Sequence, residues 1–109
     1  MRVRYTGESS TRLTRGYVYT VLGVEAGSYR LLNNEADPCL YSPEDFEIVD
    51  SEIPAFWVES SGSEGERYAY PAAWTRSGFF EDYHDGQTEA FETFWREYEG
   101  LFHSSSHSR

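Results

Sequence analysis

A chain of 109 residues with nineteen acids against nine arginines and histidines, counted as neutral, carries a net charge of −10. It is long enough for one small core, and its field repels phosphate backbones, which argues against generic nucleic-acid binding. No lysine occurs, so Schiff-base chemistry, a phosphate-cradling P-loop and a kinase-type ion pair are excluded, since each needs an ammonium.

Cys39 stands alone and forms no intrachain disulfide. The leading MRVRYTGESS has charges but no apolar run, and no stretch reaches the length that spans a bilayer, so a reducing, cytoplasmic setting is expected. Charge is unevenly placed: residues 1–24 hold four arginines and one glutamate, whereas residues 51–109 hold four arginines and eleven acids. The acidic second half is expected to steer the chain toward a basic partner.

The first fifty residues read as short strands. Val3 and Tyr5 alternate with Arg2 and Arg4, and Gly16 precedes the β-rich run Tyr17–Leu22. Gly27-Ser28 and Asn33-Asn34 punctuate a strand at Tyr29–Leu32, and Cys39–Tyr41 follows Asp37-Pro38. Ser42-Pro43-Glu44-Asp45 signals one tight helical turn, because Phe46 onward alternates like a strand again.

This succession resembles the small bacterial barrels of the Src-homology-3-like (SH3-like) type. The resemblance rests on Gly16-Tyr17-x-Tyr19-x-Val21, the turn ahead of Tyr29, and Tyr41-x-Pro43-x-x-Phe46 leading into a closing strand. It covers residues 1–50. It implies an aromatic groove with a proline, for which Tyr17, Tyr41 and Pro43 are the candidate residues.

Beyond Asp50, Ile53–Glu59 and Arg67–Tyr70 flank the polar Ser60–Glu66 and read as a hairpin. Pro71–Trp74 is expected to form a turn or a short helix. Phe91, Phe94, Trp95 and Tyr98 follow the i, i+3, i+4, i+7 stripe of an amphipathic helix over about residues 86–100, with Glu92 and Arg96 spaced for an ion pair. Gly100 offers a stop, and residues 103–109 have nothing to bury and are expected to be a disordered tail. The fold class is therefore α+β: a small antiparallel SH3-like barrel over residues 1–50, with an appended hairpin and the C-terminal amphipathic helix over residues 51–102 packed on it as one unit.

The stretch Ser77–Gly86 concentrates Glu81, Asp82, His84 and Asp85. Placed at a helix start, Asp85 is an N-cap and Glu89 complements the dipole, so this stretch is read as structural. Ligands this close in an irregular segment do not converge on a metal, and no metal or cofactor is expected. Pairing Cys39 with His84 as a nucleophile has no local support, and Glu81 with Asp85 as an acid–base pair is weakened by how abundant acids are.

Trp95 falls on the buried stripe. Trp57 alternates opposite Phe56 and Val58, so that strand must present an aromatic on one of its faces, and Trp57 is taken as the exposed anchor. The reading is a non-enzymatic protein-binding domain, an immunity- or antitoxin-type inhibitor of a basic protein, contacting its partner through Trp57, Tyr17, Tyr41, Pro43, Glu81 and Asp82. The alternatives are an acidic nucleic-acid mimic and a small enzyme using the Glu81–Asp85 cluster.

Overall fold

The computed structural model describes residues 1–103. Seven strands form one antiparallel sheet: β1 (Arg2–Tyr5), β2 (Val18–Glu25), β3 (Ser28–Leu32), β4 (Pro38–Tyr41), β5 (Phe46–Asp50), β6 (Trp57–Ser61) and β7 (Arg67–Pro71). Their order is β4–β3–β2–β1–β5, with β7 pairing both β2 and β6. Two helices follow, α1 (Phe79–His84) and α2 (Thr88–Tyr98), so the α+β class holds. Among the described residues, no helix is long and apolar enough to cross a membrane.

The chain divides into two units, Met1–Tyr70 and a second beginning at Pro71. The hairpin expected to follow Asp50 lies in the first of these units through Tyr70. The reason is pairing: β7 adds to β2 through Val24 opposite Ala69 and Glu25 opposite Tyr68, which ties the hairpin to the strands before it.

A register shift in β2 organises the first unit. Val21 pairs with Leu31 but Gly23 pairs with Arg30, so β2 carries one extra residue at Leu22. Because side chains alternate faces, that residue resets the phase. Tyr19 and Val21 before it, and Val24 after it, all join Val3, Leu13, Leu31, Trp57 and Ala69 in one core. Gly23, Glu25, Arg30 and Tyr70 are left on the other face. A Cβ on Gly23 would stand 2.2 Å from Cδ1 of Tyr70, so glycine is what lets that ring lie on the strand.

Arg30 is buried on that face and fully engaged. Its Nε donates to Tyr70 Oη (2.7 Å), one Nη to the Pro38 carbonyl (2.7 Å) and the other to Glu25 Oε1 (3.0 Å), while the Tyr70 hydroxyl donates to the same carboxylate oxygen (2.7 Å). Four strands are thus joined by one guanidinium. Burial, followed by the opposing effects of Arg30 and Glu25, leaves the Tyr70 phenol raised far above its ordinary value.

The β3–β4 turn closes on Asn33, whose Oδ1 accepts the amides of Glu35 (2.9 Å) and Asp37 (3.1 Å). The expected tight turn is a one-turn 3₁₀ helix at Pro43–Asp45, with Ser42 Oγ accepting the Glu44 amide.

In the second unit, Trp74 ends a one-turn 3₁₀ helix (Ala72–Trp74) and is the centre of an aromatic core. Its ring stacks on Phe94 (4.6 Å) and on Phe102 (5.9 Å) and meets Phe80 edge-on. Phe94 is 0 % exposed, as the apolar stripe requires.

Three local expectations are corrected here. Asp85 does not cap the start of α2. It is the C-cap that follows α1: the amide of Gly86 (φ +82°) bonds the Tyr83 carbonyl (3.1 Å) and that of Gln87 bonds the Asp82 carbonyl (3.0 Å), a left-handed glycine stop. The N-cap of α2 is Gln87, with no side-chain cap bond. Gly100 does not end the last helix, which continues as a π-turn over Glu99–His103, the turn that brings Phe102 onto Trp74 and Tyr98. Arg96 donates to Thr93 Oγ1 (3.4 Å) rather than pairing with Glu92. Beyond His103 the expected tail lies outside the described residues.

Candidate functional site: an aromatic surface beside Pro43

Strand register brings four aromatic rings of the first unit together. Tyr5 lies opposite Phe46 on β1 and β5, and Tyr29 lies opposite Tyr41 on β3 and β4, and directly opposite residues share a face. Phe46 is the hub: its ring lies 5.3 Å from Tyr5, 6.0 Å from Tyr29 and 6.3 Å from Tyr41. The 3₁₀ turn makes this possible, because Pro43–Asp45 reverses the chain between Tyr41 and Phe46 within four residues.

All four rings are half-buried, packed on the core from below and open to solvent above. Two have their polar ends fixed. The Tyr41 hydroxyl accepts Asn33 Nδ2 (3.1 Å), and the Tyr5 hydroxyl donates to the Glu8 carbonyl (2.9 Å). Rings held this way bind a partner with little further loss of side-chain freedom. Half-buried Pro43 lies two residues after Tyr41 in the chain, and exposed Glu44 and Asp45 follow it with no ion pair among the described residues. The edge is therefore acidic beside an apolar floor, an arrangement suited to a segment bearing both apolar and basic side chains.

Of the residues singled out from sequence, Tyr41 belongs to this surface, and Pro43 opens the turn that links Tyr41 to Phe46. Tyr17 stands in the turn before β2, 60 % exposed, with its carbonyl accepting the Tyr5 amide (2.9 Å). Its ring projects from the turn instead of joining the four. Trp57 is corrected: at 7 % exposure it is a core residue and not a surface anchor in the free protein, while Val58 on the opposite face is the exposed one. Its indole N–H is buried without a hydrogen-bond partner, as is that of Trp74.

Glu81 and Asp82 lie in the second unit on α1. Glu81 is exposed, and Asp82 pairs with Arg76 at 3.0 Å. An acid–base pair works when its surroundings push two ionisations apart, usually by drying one of them. Glu81 and Asp85 are both exposed and stand one helical turn apart, with the Asp85 amide bonded to the Glu81 carbonyl. Burial, then the neighbouring Asp37, raises the Cys39 thiol above its ordinary value, away from thiolate reactivity.

Tyr5, Tyr29 and Phe46 were missed by reading each strand separately. The signal that finds them is cross-strand register, which becomes readable once the strands are ordered β4–β3–β2–β1–β5. Compared with family models, curated proteins and solved structures, the chain matches none.

Proposed function

We propose that this protein is a non-enzymatic, protein-binding domain built on an SH3-like barrel, acting in the cytoplasm as an inhibitor of a basic partner. The observation that carries the reading is the half-open cluster of Tyr5, Tyr29, Tyr41 and Phe46 beside Pro43. Aromatic rings that are fixed from below and open above supply most of the binding energy at small interfaces. The strand order and the 3₁₀ turn leading into β5 support the barrel assignment. Exposed Glu44 and Asp45 favour a basic segment over an acidic one.

The mimic reading is less well supported, because Glu35, Glu47, Asp50 and Glu59 are each paired with an arginine and are not an uncompensated row of charges.

The test is selection of random dodecapeptides displayed on phage against the immobilised full chain, followed by amide-shift mapping of the winners. Enriched peptides combine arginine or lysine with proline or aromatic residues, and the shifts gather at Tyr5, Tyr29, Tyr41 and Phe46. Pro43→Ala weakens binding about threefold or more while the fold is retained. No enrichment over an unrelated acidic protein, or shifts confined to other residues, refutes this reading.

A further inference from the structure

The second unit carries an exposed aromatic face of its own on α2. Phe91 is 50 % exposed although it belongs to the apolar stripe, and its ring stacks on Tyr83 of α1 at 5.5 Å. Trp95, one turn further on, is half-buried beside it at 6.3 Å, and its indole N–H donates to the Tyr83 hydroxyl (3.0 Å). Tyr98 closes the row edge-on to Trp95 at 5.5 Å. Tyr83 therefore fixes both neighbours, one by stacking and one by a hydrogen bond, so these rings are ordered before anything binds.

Acids outnumber cations on and next to α2, with Glu89, Glu92, Glu97 and Glu99 against Arg96. Glu92 and Glu99 lie three residues before and four after Trp95, which places both beside its ring on the helix surface. Neither has an ion pair among the described residues, because Arg96 donates to Thr93 and Arg76 is taken by Asp82. An aromatic face rimmed by unpaired carboxylates is complementary to a guanidinium, which stacks on a ring while its N–H groups meet a carboxylate. A second copy of this chain, at a net charge of −10, is the wrong sign for it.

We infer that the Phe91–Trp95 face of α2, rimmed by Glu92 and Glu99, is a docking surface for an arginine-bearing amphipathic segment of a partner protein. It stands on the second unit alone and does not depend on the Tyr41–Phe46 surface. The arginine lies over the open face of Phe91 and bonds Glu92, and apolar side chains of the segment cover Trp95. Arginine serves better than lysine, since only a planar guanidinium stacks and bonds at once.

The probe is an acetylated, amidated dodecapeptide repeating Arg-Leu-Ala, with Lys-Leu-Ala and Glu-Leu-Ala counterparts, titrated into the full chain while amide and indole resonances are followed. The arginine peptide shifts the Trp95 indole and the amides of Phe91, Glu92 and Glu99. It binds more tightly than the lysine peptide, and the glutamate peptide does not bind. Phe91→Ser weakens binding about tenfold. Glu92→Gln with Glu99→Gln weakens it about threefold to tenfold at low salt, and less at high salt. Both variants change exposed side chains, and an unchanged melting curve shows that they fold.

Equal binding of the glutamate peptide, or shifts unaffected by Phe91→Ser, overturns the inference. So does sedimentation showing a dimer whose contact covers Phe91, or binding of the protein to neutral lipid vesicles through that face. Shifts confined to Tyr5, Tyr29, Tyr41 and Phe46 overturn it while leaving the barrel surface standing. Shifts at Phe91 and Trp95 alone support it and leave the barrel surface to its own peptide selection.

Discussion

Replacing Glu25 with glutamine tests whether the Arg30 cluster holds the first unit together as a buried ion network. The substitution keeps the shape and an acceptor oxygen but removes the negative charge, stranding a guanidinium whose side chain is 6 % exposed. Breaking a buried pair on one side costs about 3–5 kcal/mol, and because Glu25 keeps 35 % of its side-chain surface in solvent, water offsets part of this, leaving about 2–3 kcal/mol. Arg30→Met removes the charge itself and orphans chiefly the Pro38 carbonyl, worth about 1–2 kcal/mol. The double substitution should therefore be less destabilised than the two losses added together, by about 1 kcal/mol or more. Urea denaturation is the assay, since guanidinium salts would screen the interaction, with amide exchange at Val24 and Leu31 reporting on the strands directly. Additive losses, or a Glu25→Gln cost below about 1 kcal/mol, would mean the cluster behaves like an exposed pair and would refute the argument.

Phe94→Ala empties the centre of the second unit, where the ring meets Trp74, Phe80 and Tyr83, and should cost about 3–5 kcal/mol by thermal or urea unfolding; a neutral result would show that the site refills or that the stripe is not core. Asp85→Ala should change stability by less than about 0.5 kcal/mol, whereas Gly86→Ala at φ +82° should cost about 1 kcal/mol, and the reverse ranking would restore Asp85 as a cap. The raised Tyr70 ionisation makes the neutral phenol the form that folding prefers. Its contribution is complete below the ordinary tyrosine value of 10.0 and is lost as pH rises from there toward the folded value. Stability measured by urea should fall above pH 10, and Tyr70→Phe should flatten that fall; an unchanged slope would count against the buried phenol.

Features set by neighbours in the chain were legible from the residues alone. Alternation in Tyr17–Leu22 and Tyr29–Leu32, the Ser42-Pro43 turn and the stripe through Phe94 each have a local cause, either side-chain period or cap chemistry, and each became the expected element. Tyr41 and Pro43 were singled out through the resemblance to SH3-like barrels, which implies an aromatic groove with a proline.

Contacts between distant segments were not. Which face Trp57 takes depends on β6 joining β7 and β7 joining β2, and a single strand of alternating aromatic and apolar residues reads equally well either way up. Asp85 fits a helix start and a helix end alike, and α1 decides, because burying Phe79, Phe80 and Tyr83 makes a helix that must stop at Gly86 before α2 begins. The extra residue at Leu22 keeps Val24 in the core, and in VYTVLGVE only the isolated Gly23 hints at it. The sequence by itself determined the elements and the charge, because these are sums over neighbouring residues. Only the tertiary structure decided which aromatics are buried, which stand open at Phe46 and Phe91, and which acids are left unpaired, because those follow from strand order and register, where a shift of one residue exchanges inside for outside.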